Sequence, residues 1–319
     1  MRQRPILLTG AAGFVGSTML PRVREAFPDT PIVTLVRRRR VSRNDISLDL
    51  VDEAATAAAL TRTQPSMIVH LAAYASVGTS QRDPSAVWRD NRDASFSLAR
   101  AVATTVPDAT VLVSGTTEVY GEAFNDGRVD EATRPRPRGP YATSKLASET
   151  VFRELLPPTA RLILCRPVNH TGPGQVEDFV IPSLAGQVAR AEAGLAPASI
   201  AVGNLEARRD FLDVQDVIGA YLQLMANADS LPMRSLYNIG SGRSTAIRAI
   251  LDYFLANAQR PIEEFVDPSR LRPNDIPEVS VDSGRVEAAA GWRASRSLEA
   301  TLADVLRDKR DMVRKAASG

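Results

Sequence analysis

Residue types that support several common chemistries are scarce in this chain of 319 residues. The single cysteine, Cys165, excludes an internal disulfide bond, and its place in the apolar run Arg161–Arg166 predicts a buried structural thiol rather than a nucleophile. No apolar run reaches the ~18 residues that a membrane-spanning helix needs, and the first residues lack the apolar stretch of a signal peptide. The sequence therefore predicts a soluble, cytoplasmic protein with no metal site and no membrane partner.

A strong excess of charge is also absent. The formal net charge of +2 is too small to imply a nucleic acid partner, so the basic clusters at residues 37–40 and 134–138 are local features. Only three of the 39 basic residues are lysine (Lys145, Lys309 and Lys315), and the other 36 are arginine. A compact ammonium and a planar guanidinium are not interchangeable, so the lysine at position 145 indicates a position that a guanidinium cannot fill.

Lys145 follows Tyr141 by four residues in the stretch Pro140–Lys145, which places both side chains on one face if the segment is helical. A free tyrosine titrates near ~10, and an ammonium close to the ring lowers that pKa toward the range useful for acid–base catalysis. The spacing alone favours an ordinary amphipathic helix with an interior tyrosine and a solvated lysine. The rarity of lysine in this chain favours the catalytic interpretation.

A glycine-rich turn near the N-terminus predicts a dinucleotide site. An apolar strand at Arg4–Thr9 leads into Gly10, Gly13 and Gly16, and a helix to about residue 27 and a second strand follow. Glycines at this spacing make the turn tight, let backbone N–H groups approach a pyrophosphate and let the helix pack on the sheet. The helix N-terminus then presents the positive end of its dipole to the anion.

The remaining pattern alternates between apolar strands and amphipathic helices, which predicts an α/β fold with a doubly wound parallel Rossmann sheet. Strands are predicted at residues 46–49, 66–72, 109–114 and 161–166, and helices at residues 52–62, 84–104 and 141–155. We expect an NAD(P)-binding domain at residues 1–167 and a smaller α/β substrate domain at residues 168–319. Some segments near residues 210–240 are expected to return to the first domain.

The motifs taken together resemble those of the extended short-chain dehydrogenase/reductases, the NAD-dependent epimerase/dehydratase family, whose members modify nucleotide sugars. The residues that carry this resemblance over nearly the whole chain are Thr9-Gly10-x-x-Gly13-Phe14-x-Gly16, Asp49-Leu50-x-Asp52, His70-Leu-Ala-Ala73, Val119-Tyr120-Gly121 and Tyr141-x-x-x-Lys145. The second half is most similar to GDP-6-deoxy-4-keto-D-mannose reductases. It carries Asn169-His-Thr-Gly-Pro-Gly174, Val202-Gly-Asn204, Arg208-Arg209-Asp210-Phe211 and Leu271-Arg272-Pro-Asn-Asp275.

The resemblance implies catalytic roles for four residues. Thr116 and Tyr141 are expected to hydrogen-bond the oxygen on carbon 4 of the sugar while a hydride passes between that carbon and the nicotinamide. In reduction Tyr141 donates the proton, and Lys145 lowers its pKa and holds the nicotinamide ribose. Glu118 lies where related dehydratases have a glutamate, and the related reductases have one there too, so it leaves reductase and dehydratase both open.

Cofactor contacts are implied at the glycine turn, after the second and third strands and after the fourth. They are Gly10, Gly13, Phe14, Val15, Gly16, Arg37, Arg38, Asp49, Leu50, Leu71, Ala72 and Ala73, together with Tyr141 and Lys145. An NAD-preferring site usually has an acid after the second strand, whereas this chain has an arginine run there, which suits a 2′-phosphate. NADPH is therefore the expected cofactor. NADH use and a merely solvated basic loop stay open.

Substrate contacts are implied at Asn169, Val180, Asn204, Arg209 and Arg272, the arginines on the diphosphate. The expected reaction is NAD(P)H-dependent reduction of the 4-keto group of GDP-4-keto-6-deoxy-D-mannose to GDP-D-rhamnose. The alternatives are GDP-mannose 4,6-dehydratase, another nucleotide-4-keto-6-deoxysugar reductase such as a GDP-6-deoxy-talose synthase, and a dinucleotide-sensing protein without activity. The resemblance further implies a homodimer that pairs the helices at residues 84–104 and 141–155 of the two subunits.

Overall fold

The structure, a computed structural model, describes residues 3–37, 41, 44–75, 83–271 and 276–318. Its strands are β1 Ile6–Thr9, β2 Ile32–Val36, β3 Asp45–Ser47, β4 Met67–His70, β5 Thr110–Ser114, β6 Arg161–Pro167, β7 Asn169–Thr171, β8 Ser199–Val202, β9 Arg208–Asp213, β10 Arg234–Ile239, β11 Ser244–Ala246 and β12 Glu263–Val266. Its α-helices are α1 Phe14–Ala26, α2 Glu53–Thr63, α3 Pro84–Trp88, α4 Ala94–Thr105, α5 Gly139–Leu155, α6 Val180–Glu192, α7 Val214–Ala226, α8 Ile247–Ala256, α9 Gly284–Ala290 and α10 Leu298–Ser318.

Seven parallel strands form the central sheet in the order β10-β6-β5-β4-β1-β2-β3. Its inner strands, such as β1, β4 and β5, are largely apolar and buried because helices cover both faces, as a parallel sheet requires. One core cluster packs α1 and α7 on one face, and another packs α2, α4 and α5 on the opposite face. The predicted α/β fold with a doubly wound parallel sheet is confirmed.

The strand order reverses between β1 and β4, which is where a doubly wound sheet binds its ligand, beyond the carboxyl ends of the strands. The turn after β1 contains Gly10, and the chain after β5 contains Thr116, so both lie at this carboxyl edge. The sheet thus brings the predicted cofactor turn and the predicted catalytic residues to one crevice.

Six of the seven strands precede residue 168, and the seventh, β10, comes from residues 234–239 and pairs with β6. Two smaller sheets, β11-β9-β7 and β12-β8, lie beyond residue 168. A third core cluster there joins α6, α8 and α10 through residues such as Leu184, Phe254 and Val305. This is the smaller C-terminal α/β part, and the exact division of the chain into two domains stays a prediction.

Helix boundaries follow local signals. The side chain of Asp52 accepts a hydrogen bond from the backbone N–H of Ala55 at 2.9 Å and begins α2, which ends at Gln64 in a left-handed conformation with φ +48°. Pro140 lies in the first turn of α5. Backbone N–H groups there have no acceptor within the helix, so proline, which lacks the N–H, costs no hydrogen bond. The helix therefore begins ahead of Tyr141 and places that residue in its first turn.

The single helix predicted at residues 84–104 is wrong in one respect. A π-helical turn at Arg89–Asp93 separates α3 from α4. At its centre the buried side chain of Asn91 accepts from the backbone N–H of Tyr74 at 2.7 Å and donates to Ser144 Oγ at 2.9 Å. These bonds to α5 and to the chain after β4 satisfy a buried amide, which sequence periodicity does not reveal.

Cys165 is completely buried in β6, as predicted, and burial raises the pKa of its thiol. Within the described ranges, no helix is long and apolar enough to cross a membrane. The same ranges contain no group of three or more histidine, cysteine, aspartate or glutamate side chains arranged to hold a metal ion.

Candidate active site

Thr116 and Tyr141 meet at the carboxyl edge of the sheet. Thr116 follows β5, caps the short 3₁₀ turn Thr117–Tyr120 and accepts a hydrogen bond from the backbone N–H of Glu118 at 3.2 Å. Its side chain also lies beside the phenol of Tyr141 in the first turn of α5, close enough to lower the pKa of that phenol. The structure therefore joins two of the predicted catalytic hydroxyls, although they are 25 residues apart in the sequence.

Lys145 lies one turn further along α5 and is buried, with 5% of its surface exposed. Its ammonium donates to the backbone carbonyl of Ser114, at the end of β5, at 2.6 Å. Burial lowers the pKa of Lys145 to about 8, and the charge of Glu149 opposes that fall. At neutral pH the side chain is therefore mainly charged. Because this pKa lies close to neutral pH, a modest change in environment can change the charge of the side chain.

The pKa of Tyr141 corrects the expectation from the sequence. Burial raises it to about 12, the hydrogen bond with Thr116 lowers it and the charge of Glu118 raises it. The lowering by Lys145 that the sequence predicts is not among these effects, and the cost of ionising a buried phenol dominates. Tyr141 is therefore a protonated donor at neutral pH.

Glu118 is half-buried beside this pair, close enough for its charge to act on the phenol of Tyr141. A carboxylate next to a phenol is an arrangement that a second proton transfer needs. The position is thus compatible with either of the chemistries left open for Glu118.

The glycine turn has the shape that a pyrophosphate requires. Gly10 has φ +70°, and an added Cβ would lie 2.6 Å from the backbone nitrogen of Ala72, so the turn is pressed against the chain after β4. An added Cβ on Gly16 would collide with the carbonyl oxygen of Gly10. Gly13 is exposed at the N-terminus of α1, so a backbone free of side chains faces the crevice. Phe14 and Val15 form the first turn of α1.

Thr9 ties the ends of β1 and β4 together. Its hydroxyl accepts from the backbone N–H of Ala72 at 3.2 Å and bonds His70 Nδ1 at 2.9 Å. Leu71, Ala72 and Ala73 therefore run along the edge of the glycine turn, where the resemblance implies cofactor contacts.

An ionic cluster lies at the ends of β2 and β3, where the ribose of a dinucleotide is expected. Arg37 donates to both carboxylate oxygens of Asp90 at 2.9 and 3.0 Å. Arg89 bonds both Asp90, at 2.9 Å, and Asp49. Arg37 is thus already paired with an acid, and the neighbouring Arg38 lies outside the described residues. Leu50 is buried next to Asp49.

The predicted substrate residues lie at separate points of the C-terminal part. Asn169 begins β7, Val180 begins α6 with 40% exposure, and Asn204 is exposed and accepts from the backbone N–H of Glu206 at 3.0 Å. Arg209 donates to the carbonyls of Arg208 and Ile276, each at 2.8 Å. Arg272 lies outside the described residues.

β7, which begins at the predicted substrate residue Asn169, contacts the helix after the glycine turn through two aromatic rings. His170 stacks on Phe14 with ring centroids 6.4 Å apart and an interplanar angle of 8°. Burial lowers the pKa of His170, so the ring packs as a neutral group. The contact places β7 directly beside the first turn of α1.

Several polar residues of the site escaped the sequence reasoning. Asn91, Ser95, Ser144 and Ser148 form a buried network between α4, α5 and His70. Glu149 and Arg166 form a buried ion pair beneath Lys145. Glu149 carries a local signal, because it follows Lys145 by the same four residues that separate Lys145 from Tyr141. The network has no such signal.

Comparisons with known proteins agree with this geometry. Residues 6–240 match the NAD dependent epimerase/dehydratase family. Over 316 residues the chain is 31% identical to the GDP-6-deoxy-D-mannose reductase of Pseudomonas aeruginosa, covering 98% of this chain and 99% of that one. The structure of RMD from Pseudomonas aeruginosa complexed with NADPH has a TM-score of 0.79 at 30% identity, over 97% of this chain and 100% of that one. MoeE5 in complex with UDP-glucose and NAD has a TM-score of 0.82 at 26% identity, over 97% and 99% of the two chains.

Proposed function

The chain belongs to the NAD dependent epimerase/dehydratase family, and from that premise we propose that it reduces the 4-keto group of GDP-4-keto-6-deoxy-D-mannose to give GDP-D-rhamnose. It is an NAD(P)-dependent oxidoreductase. The observation that carries the proposal is the neighbouring pair Thr116–Tyr141, with Lys145 one helical turn away, at the same sheet edge as the glycine turn.

We propose NADPH as the cofactor. The side-chain-free turn at Gly10, Gly13 and Gly16 fits a pyrophosphate, and the ammonium of Lys145 fits a ribose hydroxyl. Arg37 would hold the 2′-phosphate after exchanging Asp90 for it, since a phosphate offers a guanidinium a doubly charged partner. When bound, the reduced nicotinamide supplies a hydride to carbon 4 of the sugar.

The proton step follows from the raised pKa of Tyr141. A phenol with a pKa of about 12 stays protonated at neutral pH, so it can donate a hydrogen bond to the ketone oxygen. As the hydride arrives that oxygen becomes an alkoxide, a stronger base than the phenolate, and it takes the proton from Tyr141. Thr116, which lowers the pKa of the phenol, would stabilise the phenolate left behind.

The nucleotide-sugar would lie between the sheet edge and the C-terminal part. Asn169 adjoins the His170–Phe14 contact, which borders both the glycine turn and the sugar side of the crevice. Arg209 and Arg272 would bind the diphosphate, and Asn204 the base. The related reductase of Pseudomonas aeruginosa supports a GDP-linked sugar. We also propose a homodimer formed through α4 and α5, where Phe96 of α4 is 41% exposed.

A second candidate is GDP-mannose 4,6-dehydratase, which Glu118 favours because its carboxylate lies near Tyr141. A dehydratase would use Glu118 to move a proton on the sugar and would return its cofactor to the starting state.

Two incubations separate these reactions, one with GDP-4-keto-6-deoxymannose and one with GDP-mannose. The purified enzyme is mixed with GDP-4-keto-6-deoxymannose and NADPH, NADPH absorbance is followed and the product is identified by NMR. We expect stoichiometric oxidation of NADPH and a GDP-6-deoxyhexose whose carbon-4 configuration distinguishes GDP-D-rhamnose from the 6-deoxy-talose epimer. Conversion of GDP-mannose with no net change in NADPH would instead identify the dehydratase. Tyr141→Phe is the inactive control, with a loss of at least about 100-fold.

A further inference from the structure

A buried ion pair involves Glu149, which lies one helical turn beyond Lys145 on α5. Glu149 of α5 and Arg166 of β6 have side chains only 2% and 4% exposed. Arg166 donates three hydrogen bonds to the carboxylate, from Nε at 3.0 and 3.2 Å and from a terminal nitrogen at 2.6 Å. The guanidinium also lies 4.8 Å from the ring centroid of Tyr120. Such a fork fixes both the position and the charge of the carboxylate.

The carboxylate of Glu149 packs against the turn that contains Thr116, the proposed catalytic threonine. An added Cβ on Gly115 would lie 2.8 Å from an oxygen of Glu149, so residue 115 has room for hydrogen only. Gly115 stands between Ser114, whose carbonyl accepts from Lys145, and Thr116, which bonds Tyr141. Glu149 therefore packs against Gly115, the residue between the one that contacts Lys145 and the one beside Tyr141.

Stability alone is a weak reason for this pair. Two charges withdrawn from water cost several kcal/mol each, and replacing a buried ion pair by apolar residues is often neutral or stabilising. A functional reason is available instead. The ammonium of Lys145 is itself buried, and a negative charge nearby favours its charged form. Tyr141, Lys145 and Glu149 recur every four residues along one face of α5.

We propose that Glu149, held by Arg166, is a positioning residue that keeps Lys145 charged and aimed at the cofactor ribose. This inference rests on the proposed function only in assuming that Lys145 binds the cofactor ribose. It adds Glu149 as a residue that acts through Lys145. The charge of Glu149 counteracts the lowering of the Lys145 pKa by burial.

Other titratable groups surround the pair and are constant between the variants tested below. They are Tyr141 on α5, Glu118 on the 3₁₀ turn, His70 on β4, Cys165 and Arg166 on β6 and Tyr221 on α7. His70 is held neutral because burial and the charge of Lys145 lower its pKa to about 3. These groups are the same in every variant, so a change in the Lys145 titration reports on Glu149.

The rarity of lysine makes a direct test possible. Lysine labelled with ¹³C at Cε gives three resonances from this chain, and the Lys145 signal is identified by its absence in Lys145→Arg. The full-length enzyme is titrated between about pH 6 and pH 11. We expect Glu149→Gln to lower the pKa of Lys145 by about one unit or more and Glu149→Asp, which withdraws the carboxylate by one methylene, to lower it by less.

The matched control is Glu192→Gln. Glu192 also forms a buried ion pair, with Arg310 at 2.7 and 2.8 Å, but it joins α6 to α10 away from Lys145. This variant should leave the Lys145 titration in place. If Glu149→Gln fails to fold, Glu149→Asp decides. An unchanged Lys145 pKa in the folded Glu149 variants overturns the proposal.

A second readout is the dissociation constant of NADPH measured over the same pH range. We expect the affinity of Glu149→Gln to weaken at a lower pH than that of the wild type, in step with the shifted lysine titration. Neither readout requires a sugar substrate. If the wild type fails to reduce the GDP-linked ketone, the proposed function fails while the result on Glu149 still stands.

Discussion

At the scale of single residues, the candidate site depends on environments that adjoining sequence does not reveal. Tyr141 and Lys145 share a helix face, yet burial moves their pKa values in opposite directions, to about 12 and about 8. The phenol is stabilised in its neutral form, and the ammonium is held nearer to neutrality than a free lysine. The pair is therefore suited to donating a proton from tyrosine while lysine binds a ribose.

Thr116 is expected to act through its hydrogen bond to Tyr141. Replacing it with valine in Thr116→Val removes the bond that lowers the pKa of the phenol and the second donor toward the ketone oxygen. We expect kcat to fall by about 100-fold with a small change in the KM for NADPH, measured by steady-state kinetics. Thr117→Val is the control, since the Thr117 hydroxyl donates to the carbonyl of Pro167 instead. Equal losses in both variants would argue against a catalytic Thr116.

Asp90 is expected to moderate the preference for NADPH, because it occupies Arg37. In Asp90→Asn the guanidinium is freed from an anion and can bind a 2′-phosphate more readily. We expect the ratio of kcat/KM for NADPH over NADH to rise by about fivefold, the equivalent of about 1 kcal/mol. Asp93→Asn breaks an exposed ion pair with Arg92 in the same π turn and should leave the ratio unchanged. A ratio unaltered in Asp90→Asn would show that Arg37 does not contact the phosphate.

At the scale of elements, two segments outside the site support the elements that form it. The π turn directs Asn91 into α5, and α10 supports the loop after β7 from the opposite side. Lys309 of α10 is buried and donates to the carbonyl of Gln175 at 2.6 Å, and Asp308 accepts from the backbone N–H of Gly174 at 2.9 Å. Two of the three lysines, Lys145 and Lys309, thus place a compact ammonium on a single backbone carbonyl.

Lys309→Met tests the support from α10. The change leaves the buried carbonyl of Gln175 without its donor, which we expect to lower the free energy of unfolding by about 2 kcal/mol. The KM for the GDP-sugar should rise more than the KM for NADPH, because the loop after β7 adjoins Asn169. Urea denaturation and steady-state kinetics measure the two effects. Lys315→Met, at an exposed position of the same helix, should change neither.

At the scale of the whole molecule, the stability of the fold is coupled to pH through a buried histidine. His70 is 2% exposed, bonds Thr9 and Ser95, and has its pKa lowered to about 3 by burial and by the charge of Lys145. Between that value and the ordinary pKa near 6.5, the unfolded chain binds a proton at this side chain and the folded chain does not. Folding stability is therefore lost as the pH falls through this window.

The expected slope from His70 is about 1.4 kcal/mol per pH unit between about pH 6 and pH 4. Urea denaturation of the wild type and of His70→Gln over this range should give slopes that differ by this amount, with the variant less sensitive to acid. Comparing the two chains cancels contributions shared by both, such as that of His170 and of the carboxylates. Identical slopes would show that His70 is protonated in the folded protein.

Much of the fold and half of the site follow from sequence because their signals are local. The glycine spacing after β1 requires a tight turn, and the four-residue spacing of Tyr141 and Lys145 defines one helix face whatever surrounds it. The alternation of apolar strands and helices predicts the parallel sheet. It fails at Arg89–Asp93, because the side chain that interrupts the helix has its partners on other elements.

By itself the sequence determined the class of fold, the glycine turn and the helix face shared by Tyr141 and Lys145, since each depends on residues a few positions apart. Only the tertiary structure decided which side chains meet: Thr116 with Tyr141, Arg37 with Asp90, and Glu149 with Arg166. It also decided the direction of the pKa shifts, because desolvation depends on everything packed around a group and not on its neighbours in the chain.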